Sequence, residues 1–88
     1  MTNSAWQTRK EAVIARGMGN IFPIYTDRAL NAEVWDVEGK RYIDFAAGIA
    51  VVNTGHCHPE VIGAVKKQLD DFSHSCVMVT PYASAVEL

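Results

Sequence analysis

An amphipathic segment between Pro59 and Phe72 sets the strongest limit on how this chain folds. Pro59 suits the first position of a helix, and Glu60 complements the positive end of the helix dipole. The apolar residues that follow recur with the period of an α-helix: Val61, Ile62, Val65, Leu69 and Phe72. Because such a face is stable only when another element covers it, the segment predicts a helix over residues 59–72 that needs a partner layer.

The amino-terminal part of the chain offers little cover. A short helix is expected there, with Ser4 and Gln7 at the spacing of a capping box and Gly17 at the position of a C-terminal glycine. Its apolar residues form no continuous stripe. Residues 1–31 are therefore predicted to be a peripheral arm, irregular after the helix, that lies against another surface.

Residues 33–45 predict a β-hairpin. Val34–Val37 and Arg41–Phe45 read as short strands on either side of Glu38 and Gly39. Gly39 can supply the positive φ of a tight turn, either type I′ or type I with a G1 bulge. The small and β-branched residues from Ala46 to Val52 are expected to form one buried stretch.

Composition indicates that these elements cannot bury their own apolar residues. Hydrophobic residues make up 49% of the 88, more than one strong helix, one weak helix and a hairpin can cover. A further helical pattern starts at Ser84 and runs to Leu88. We therefore expect an α+β segment of a longer protein that does not fold stably alone, with residues 1–88 as an incomplete domain.

Charge and cysteine content exclude several classes of function. The net charge is −2, with 8 basic and 10 acidic residues, so the chain has no basic footprint for nucleic acid and no polybasic membrane patch. The longest apolar run, Ala46–Val52, is far shorter than the roughly 20 residues that span a bilayer. No secretory leader is expected, and Cys57 and Cys76 fit a reduced, cytoplasmic setting.

Zinc binding is the most specific chemical function that the residue types of this chain suggest. His56, Cys57 and His58, with His74 and Cys76 downstream, are residue types that zinc prefers. The spacing argues against it, since adjacent ligands cannot easily point at one ion. The alternative is a structural hydrogen bond from His56 and a helix cap from Asn53 or His58.

The remaining polar motifs have structural interpretations. Gly17 and Gly19 lack the spacing of a phosphate-binding loop. The carboxylates Asp36, Glu38 and Asp44 are expected on a solvated face or in turns. The residues alone thus define no catalytic set and no metal or cofactor site.

The run VWDVEGKRYIDFAAGIAVVNTGHCHPEV, residues 34–61, resembles the amino-terminal region of class III aminotransferases. The order D-x-E-G, [YF]-x-D-F, a small-residue run and N-x-G-H-x-H-P is specific to that family. The flanks ARGMGNIFPIYTDRA and FSHSCVMVTPY extend the match over nearly the whole chain, with the bacterial 4-aminobutyrate branch most similar. The resemblance implies an α/β parent of the pyridoxal-phosphate fold type I.

By this resemblance the parent enzyme would move the amino group of 4-aminobutyrate to 2-oxoglutarate, giving succinate semialdehyde and glutamate. Transamination of 5-aminovalerate, ornithine or N-acetylornithine remains an alternative, as does a non-enzymatic interaction module. The family's cofactor-binding lysine would lie beyond Leu88, so these 88 residues should be inactive. A homodimer or higher oligomer is implied, in which residues 53–58 serve assembly and Ile21–Tyr25 wraps a neighbouring surface.

The resemblance assigns three substrate-binding candidates. Ile49 matches a position where 4-aminobutyrate enzymes place an aliphatic wall over the substrate chain and ornithine enzymes a tyrosine. Ile21 matches a segment at the pocket mouth, and Met78 stands where a glutamine is expected. The alternative for all three is ordinary packing.

Overall fold

The computed structural model describes all residues from Met1 to Leu88, which form two compact units, Met1–His58 and Pro59–Leu88. The first unit contains a helix, three strands and a short turn. The second contains two helices. In chain order the elements are α1 (Asn3–Val13), β1 (Thr26–Leu30), β2 (Glu33–Asp36), β3 (Arg41–Ile43), α2 (Ala47–Ala50), α3 (Pro59–Asp71) and α4 (Ala83–Glu87).

The predicted hairpin is present as β2 and β3, which pair antiparallel with Val34 opposite Tyr42. Gly39 has a φ of 82°, and its amide lies 2.9 Å from the carbonyl oxygen of Asp36. The Asp36 amide in turn donates to the carbonyl of Lys40 at 3.0 Å, the pattern of a type I turn with a G1 bulge.

Strand β1 corrects the expectation of an irregular arm. It pairs antiparallel with β2 and completes a three-stranded sheet in the order β1-β2-β3, with a register shift between Thr26 and Arg28. Its sequence, TDRAL, has no long apolar alternation. Tertiary pairing with β2 decides its conformation, which local propensity does not.

Helix α1 begins earlier than the capping-box spacing indicated. Thr2 is the N-cap, and its Oγ1 accepts a hydrogen bond from the Ala5 amide at 3.1 Å. The proposed pair of Ser4 and Gln7 is wrong, because the Gln7 side chain donates to Glu11 instead. The helix ends at Val13, before Gly17.

Asn3 joins α1 to the sheet. Its Nδ2 donates to Asp36 Oδ2 at 3.0 Å, and its Oδ1 accepts from the Tyr25 amide at 2.7 Å. The ring of Trp6 stacks on Tyr25 with 6.3 Å between centroids. This polar contact therefore holds the start of the helix against both the sheet and the segment that enters β1.

Asp36 is the centre of this contact and the only buried residue of the chain, at 4% exposure. Its Oδ1 accepts from the amides of Glu38 and Lys40 at 2.9 Å each, and its Oδ2 accepts from Tyr42 Oη at 2.9 Å. Burial acts to raise the pKa of Asp36, but the hydrogen bonds outweigh it and the pKa is lowered. Of the two roles expected for Asp36, the structure therefore shows the one in a turn and not the one on a solvated face.

No hydrophobic side chain of the chain is fully buried. Phe45 is 93% exposed and Ile21 is 89% exposed. The stretch from Ala46 to Val52 was expected to be buried, yet Val51 is 73% exposed. The prediction failed because its residues form a tight turn outside the sheet, described below.

In the second unit, α3 runs over Pro59–Asp71, close to the predicted 59–72. Its apolar face is half exposed, with Val65 at 49%. Phe72 meets Tyr82 edge to face at 5.7 Å, which closes the connection to α4. Helix α4 begins at Ala83, one residue before the expected Ser84. None of the helices has the length and apolar character needed to cross a membrane.

Candidate functional site

The segment after the hairpin forms a left-handed turn, α2. Its four residues all have positive φ: Ala47 51°, Gly48 66°, Ile49 60° and Ala50 60°. Three of them carry a Cβ, and a left-handed conformation costs about 1–2 kcal/mol for each such residue. Ile49, which is β-branched, is the least expected there. Strain of this kind persists only where surrounding contacts impose it, and it clusters at functional sites.

The left-handed turn presents Ile49 to the surface, with 91% of the residue exposed. The Ala50 amide donates to the Ala46 carbonyl at 3.0 Å, and the Val51 amide to the Ala47 carbonyl at 2.8 Å. These two hydrogen bonds close the turn, on which the Ile49 side chain is displayed as an exposed apolar group.

Asp44 holds the amino-terminal side of the turn. Its Oδ1 accepts from the amides of Ala46 at 3.0 Å and Ala47 at 2.9 Å. Its own amide donates to the Ala32 carbonyl at 2.8 Å, so the residue is anchored to the β1–β2 connection. A carboxylate aimed at two successive amides is a strong, charge-assisted cap.

His56 holds the other oxygen of the same carboxylate. Its Nε2 lies 2.5 Å from Asp44 Oδ2, and the two side chains are only 20% and 13% exposed. The hydrogen bond from His56, followed by backbone amides, lowers the pKa of Asp44. The structural hydrogen bond predicted for His56 is therefore confirmed. Of the two roles expected for Asp44, the structure shows the one in a turn and not the one on a solvated face.

The backbone around His56 is itself fixed. His56 and Asn31 exchange backbone hydrogen bonds of 2.9 and 3.0 Å. Gly55 has a φ of 81°, and a Cβ there would lie 3.1 Å from the Cα of Asn31. Only glycine allows this close approach, so the N-x-G-H motif brings His56 beside the sheet.

The other two substrate-binding candidates lie apart from this turn in sequence. Ile21 is exposed and precedes an open apolar groove of about 590 Å³, lined by residues that include Phe22, Ile24, Tyr42 and Phe45. Neither Ile21 nor Ile49 lines that groove. Met78 is 92% exposed and belongs to the second unit.

No three histidine, cysteine, aspartate or glutamate side chains of the chain come together as a possible metal site. His56 is engaged by Asp44, and Cys57 and Cys76 are not joined in a disulfide. Sequence reasoning missed the link between Asp44 and His56. An aspartate directly after a strand is nevertheless a signal for a side-chain cap on the amides two and three residues later, here those of Ala46 and Ala47.

The three-stranded sheet, the left-handed turn and the loop that bears His56 all lie within a stretch that matches a known protein family. Residues 13–88 match the sequence pattern of the family described as Aminotransferase class-III. The chain is therefore a member of the class III aminotransferases, as the resemblance predicted.

Two relatives indicate which enzymes within the family are similar to this chain. The chain is 53% identical over 87 residues to the 5-aminovalerate aminotransferase of Pseudomonas aeruginosa and 52% identical over 87 residues to the 4-aminobutyrate aminotransferase of Escherichia coli. Each match covers 99% of this chain and 20% of the relative. The chain thus spans about a fifth of the length of these curated relatives and corresponds to an amino-terminal segment.

Solved structures agree on the fold. The ornithine δ-aminotransferase of Plasmodium falciparum superposes with a TM-score of 0.78 at 27% identity, over 85% of this chain and 19% of that one. The acetylornithine aminotransferase of Elizabethkingia anophelis gives 0.77 at 31% identity, over 84% and 18%. The predicted α+β segment of a fold type I enzyme is confirmed.

Class III aminotransferases are pyridoxal-phosphate enzymes, and the residues of this chain do not by themselves fit that cofactor. A covalent holder must be an enclosed, unengaged lysine amine. Lys10 Nζ is bound at 2.7 Å by both Met18 and Asn20, and Lys40 lies over the Tyr42 ring. Lys66 and Lys67 lie exposed on α3.

Proposed function

We propose that the protein containing these residues is an ω-aminotransferase that moves the amino group of 4-aminobutyrate to 2-oxoglutarate, giving succinate semialdehyde and glutamate. Bound in the complete enzyme, pyridoxal phosphate would supply the amino-transfer chemistry. The observation that carries the proposal is the identity of about half of all positions to 4-aminobutyrate and 5-aminovalerate enzymes over 99% of this chain.

Ile49 is proposed to select the amino donor. An exposed aliphatic side chain on a rigid backbone forms a wall that accepts a methylene chain and offers no partner to an α-amino group. Donors with only an ω-amino group therefore fit it best, which favours 4-aminobutyrate and, as the second candidate, 5-aminovalerate. Ile21 and Met78 are each proposed as further substrate-binding residues of the complete enzyme, with ordinary packing as the alternative for each.

The assembly and setting of the enzyme are part of the same proposal. No hydrophobic side chain is fully buried within these residues, and Phe22 and Phe45 are 67% and 93% exposed. Such surface is expected to be covered by the rest of the protein and by a second subunit in a homodimer. We further propose a cytoplasmic enzyme without nucleic-acid or membrane partners, and no activity in the 88 residues alone.

Donor kinetics of the full-length gene product test this function. With 2-oxoglutarate as acceptor, glutamate formation should show the highest kcat/KM for 4-aminobutyrate or 5-aminovalerate and a lower value for ornithine. Ile49→Tyr should reduce the preference for 4-aminobutyrate over ornithine by about tenfold or more, since a reshaped apolar pocket changes selectivity by that order. Ile14→Tyr, the same exchange at another exposed isoleucine, should leave the preference unchanged.

Each result has a clear meaning. A purified protein that transaminates none of these donors would refute the enzyme and favour the interaction module. An active enzyme that prefers ornithine would refute the donor assignment. An unchanged preference in Ile49→Tyr would show that Ile49 serves packing only.

A further inference from the structure

We propose that Asp44 and His56 form a positioning pair that holds the left-handed turn and thereby sets the donor preference through Ile49. This inference rests on the proposed function, because the preference it explains is that of an ω-aminotransferase. Neither residue is expected to touch substrate. Both act through the backbone that displays the Ile49 side chain.

The turn needs an external restraint. Ala47, Ile49 and Ala50 adopt positive φ against their intrinsic preference, so a free segment of this sequence would leave the conformation. The hydrogen bonds from the Ala50 and Val51 amides close the turn, but they do not fix where the turn sits relative to the sheet.

Asp44 supplies that restraint at one end. Its Oδ1 caps the amides of Ala46, which precedes the turn, and of Ala47, the first residue of the turn. Because the Asp44 amide donates to the Ala32 carbonyl, the cap is held in a fixed position relative to the sheet. A carboxylate has rotational freedom about its side-chain bonds, however, and one bonded oxygen alone would not fix its plane.

His56 fixes the second oxygen. Its Nε2 lies 2.5 Å from Asp44 Oδ2, and its own backbone is tied to Asn31 in both directions. The Gly55 amide also donates to the Val52 carbonyl at 2.9 Å, just after the turn. The two residues therefore clamp the segment 44–56 at both of its ends.

The other charged groups near this pair do not compete for it. The side chains of Glu33 and Arg41 bond each other across the hairpin, and Asp36 is engaged by Asn3 and Tyr42. Asp44 therefore has His56 as its one side-chain partner within the hydrogen bonds of the first unit. Removing the imidazole frees one carboxylate oxygen and no other side chain replaces it.

Kinetics of the full-length holoenzyme test the pair. The variants are Ile49→Ala, His56→Ala, the two together, and His56→Gln, whose amide can still donate to Asp44. We expect His56→Ala to lower the ratio of kcat/KM for 4-aminobutyrate over ornithine by about tenfold, because a change in one apolar contact of a substrate pocket alters selectivity by about that factor. Ile49→Ala should lower it similarly, and the double variant no further. His56→Gln should recover most of the preference.

Two controls separate positioning from simple loss of folding. His74→Ala makes the same exchange at an exposed histidine and should keep the wild-type ratio. Hydrogen–deuterium exchange should show faster exchange across residues 46–52 in His56→Ala, with the helix α3 unchanged. A merely structural role would lower kcat/KM for both donors equally, with an unchanged ratio, and would overturn the proposal.

Additive effects of His56→Ala and Ile49→Ala would also overturn it, since independent sites add and coupled sites do not. An unmodified enzyme without activity toward any donor would refute the proposed function instead. In that case the exchange measurement still decides whether the pair holds the turn, and unchanged exchange at residues 46–52 would refute the pair itself.

Discussion

Gly55 offers a sharp test of how this fold is held. Replacing it with alanine places a methyl group 3.1 Å from the Asn31 Cα and 3.3 Å from the Asn31 carbonyl carbon and oxygen. These are backbone atoms of the β1–β2 connection, which cannot move aside as the end of a flexible side chain can. The new residue must also keep a φ of 81°.

The expected cost follows from these two effects. A left-handed conformation costs a residue with a Cβ about 1–2 kcal/mol. Crowding of a methyl group against fixed neighbours adds about 1–3 kcal/mol. We expect Gly55→Ala to lower the free energy of unfolding of the full-length protein by about 2–5 kcal/mol, which is a large share of the stability of an ordinary domain.

Gly63→Ala is the matched control. Gly63 lies within α3, and a Cβ there would meet no atom within 4 Å. The same substitution should stabilise the protein by about 0.5–1 kcal/mol, because alanine is the better helix former. The two variants should thus shift the midpoint of urea or thermal unfolding in opposite directions. Equal shifts, or a Gly55→Ala variant as stable as the wild type, would contradict the close approach of Gly55 to Asn31.

Two further predictions concern the polar groups of the first unit. The pKa of Asp36 and that of Asp44 are lowered in the folded state, so their stabilisation is complete above the unfolded value and is lost as pH falls through the folded values. The unfolding midpoint of the wild-type protein should therefore be constant near neutral pH and decline below about pH 4. The Asp36→Asn variant should be less stable at pH 7, and its midpoint should fall less steeply as the pH decreases. A decline parallel to that of the wild type would contradict this prediction. Asn3→Ala leaves the Tyr25 amide unpaired and should lower the free energy of unfolding by about 1–3 kcal/mol. Hydrogen exchange at the Tyr25 amide should become faster. The control Asn20→Ala, at an exposed position, should leave that amide protected.

Local sequence determined the elements whose contacts are close along the chain. The spacing of Val61, Val65 and Leu69 predicted α3 because a helix repeats every 3.6 residues regardless of its neighbours. Gly39 predicted the hairpin turn, since the required positive φ is a property of the residue itself. The ordered motifs within residues 34–61 predicted membership of the class III aminotransferases, and the match over residues 13–88 confirmed it.

The tertiary structure alone decided the features on which the candidate site depends. Strand β1 exists because β2 pairs with it, and the buried carboxylate of Asp36 has a partner, Asn3, that lies 33 residues away. The left-handed turn at Ile49 goes against the preferences of its own residues, so no local rule could indicate it. Asp44 and His56 impose it from positions that are distant in sequence and adjacent in space, and such contacts are settled only when the chain folds.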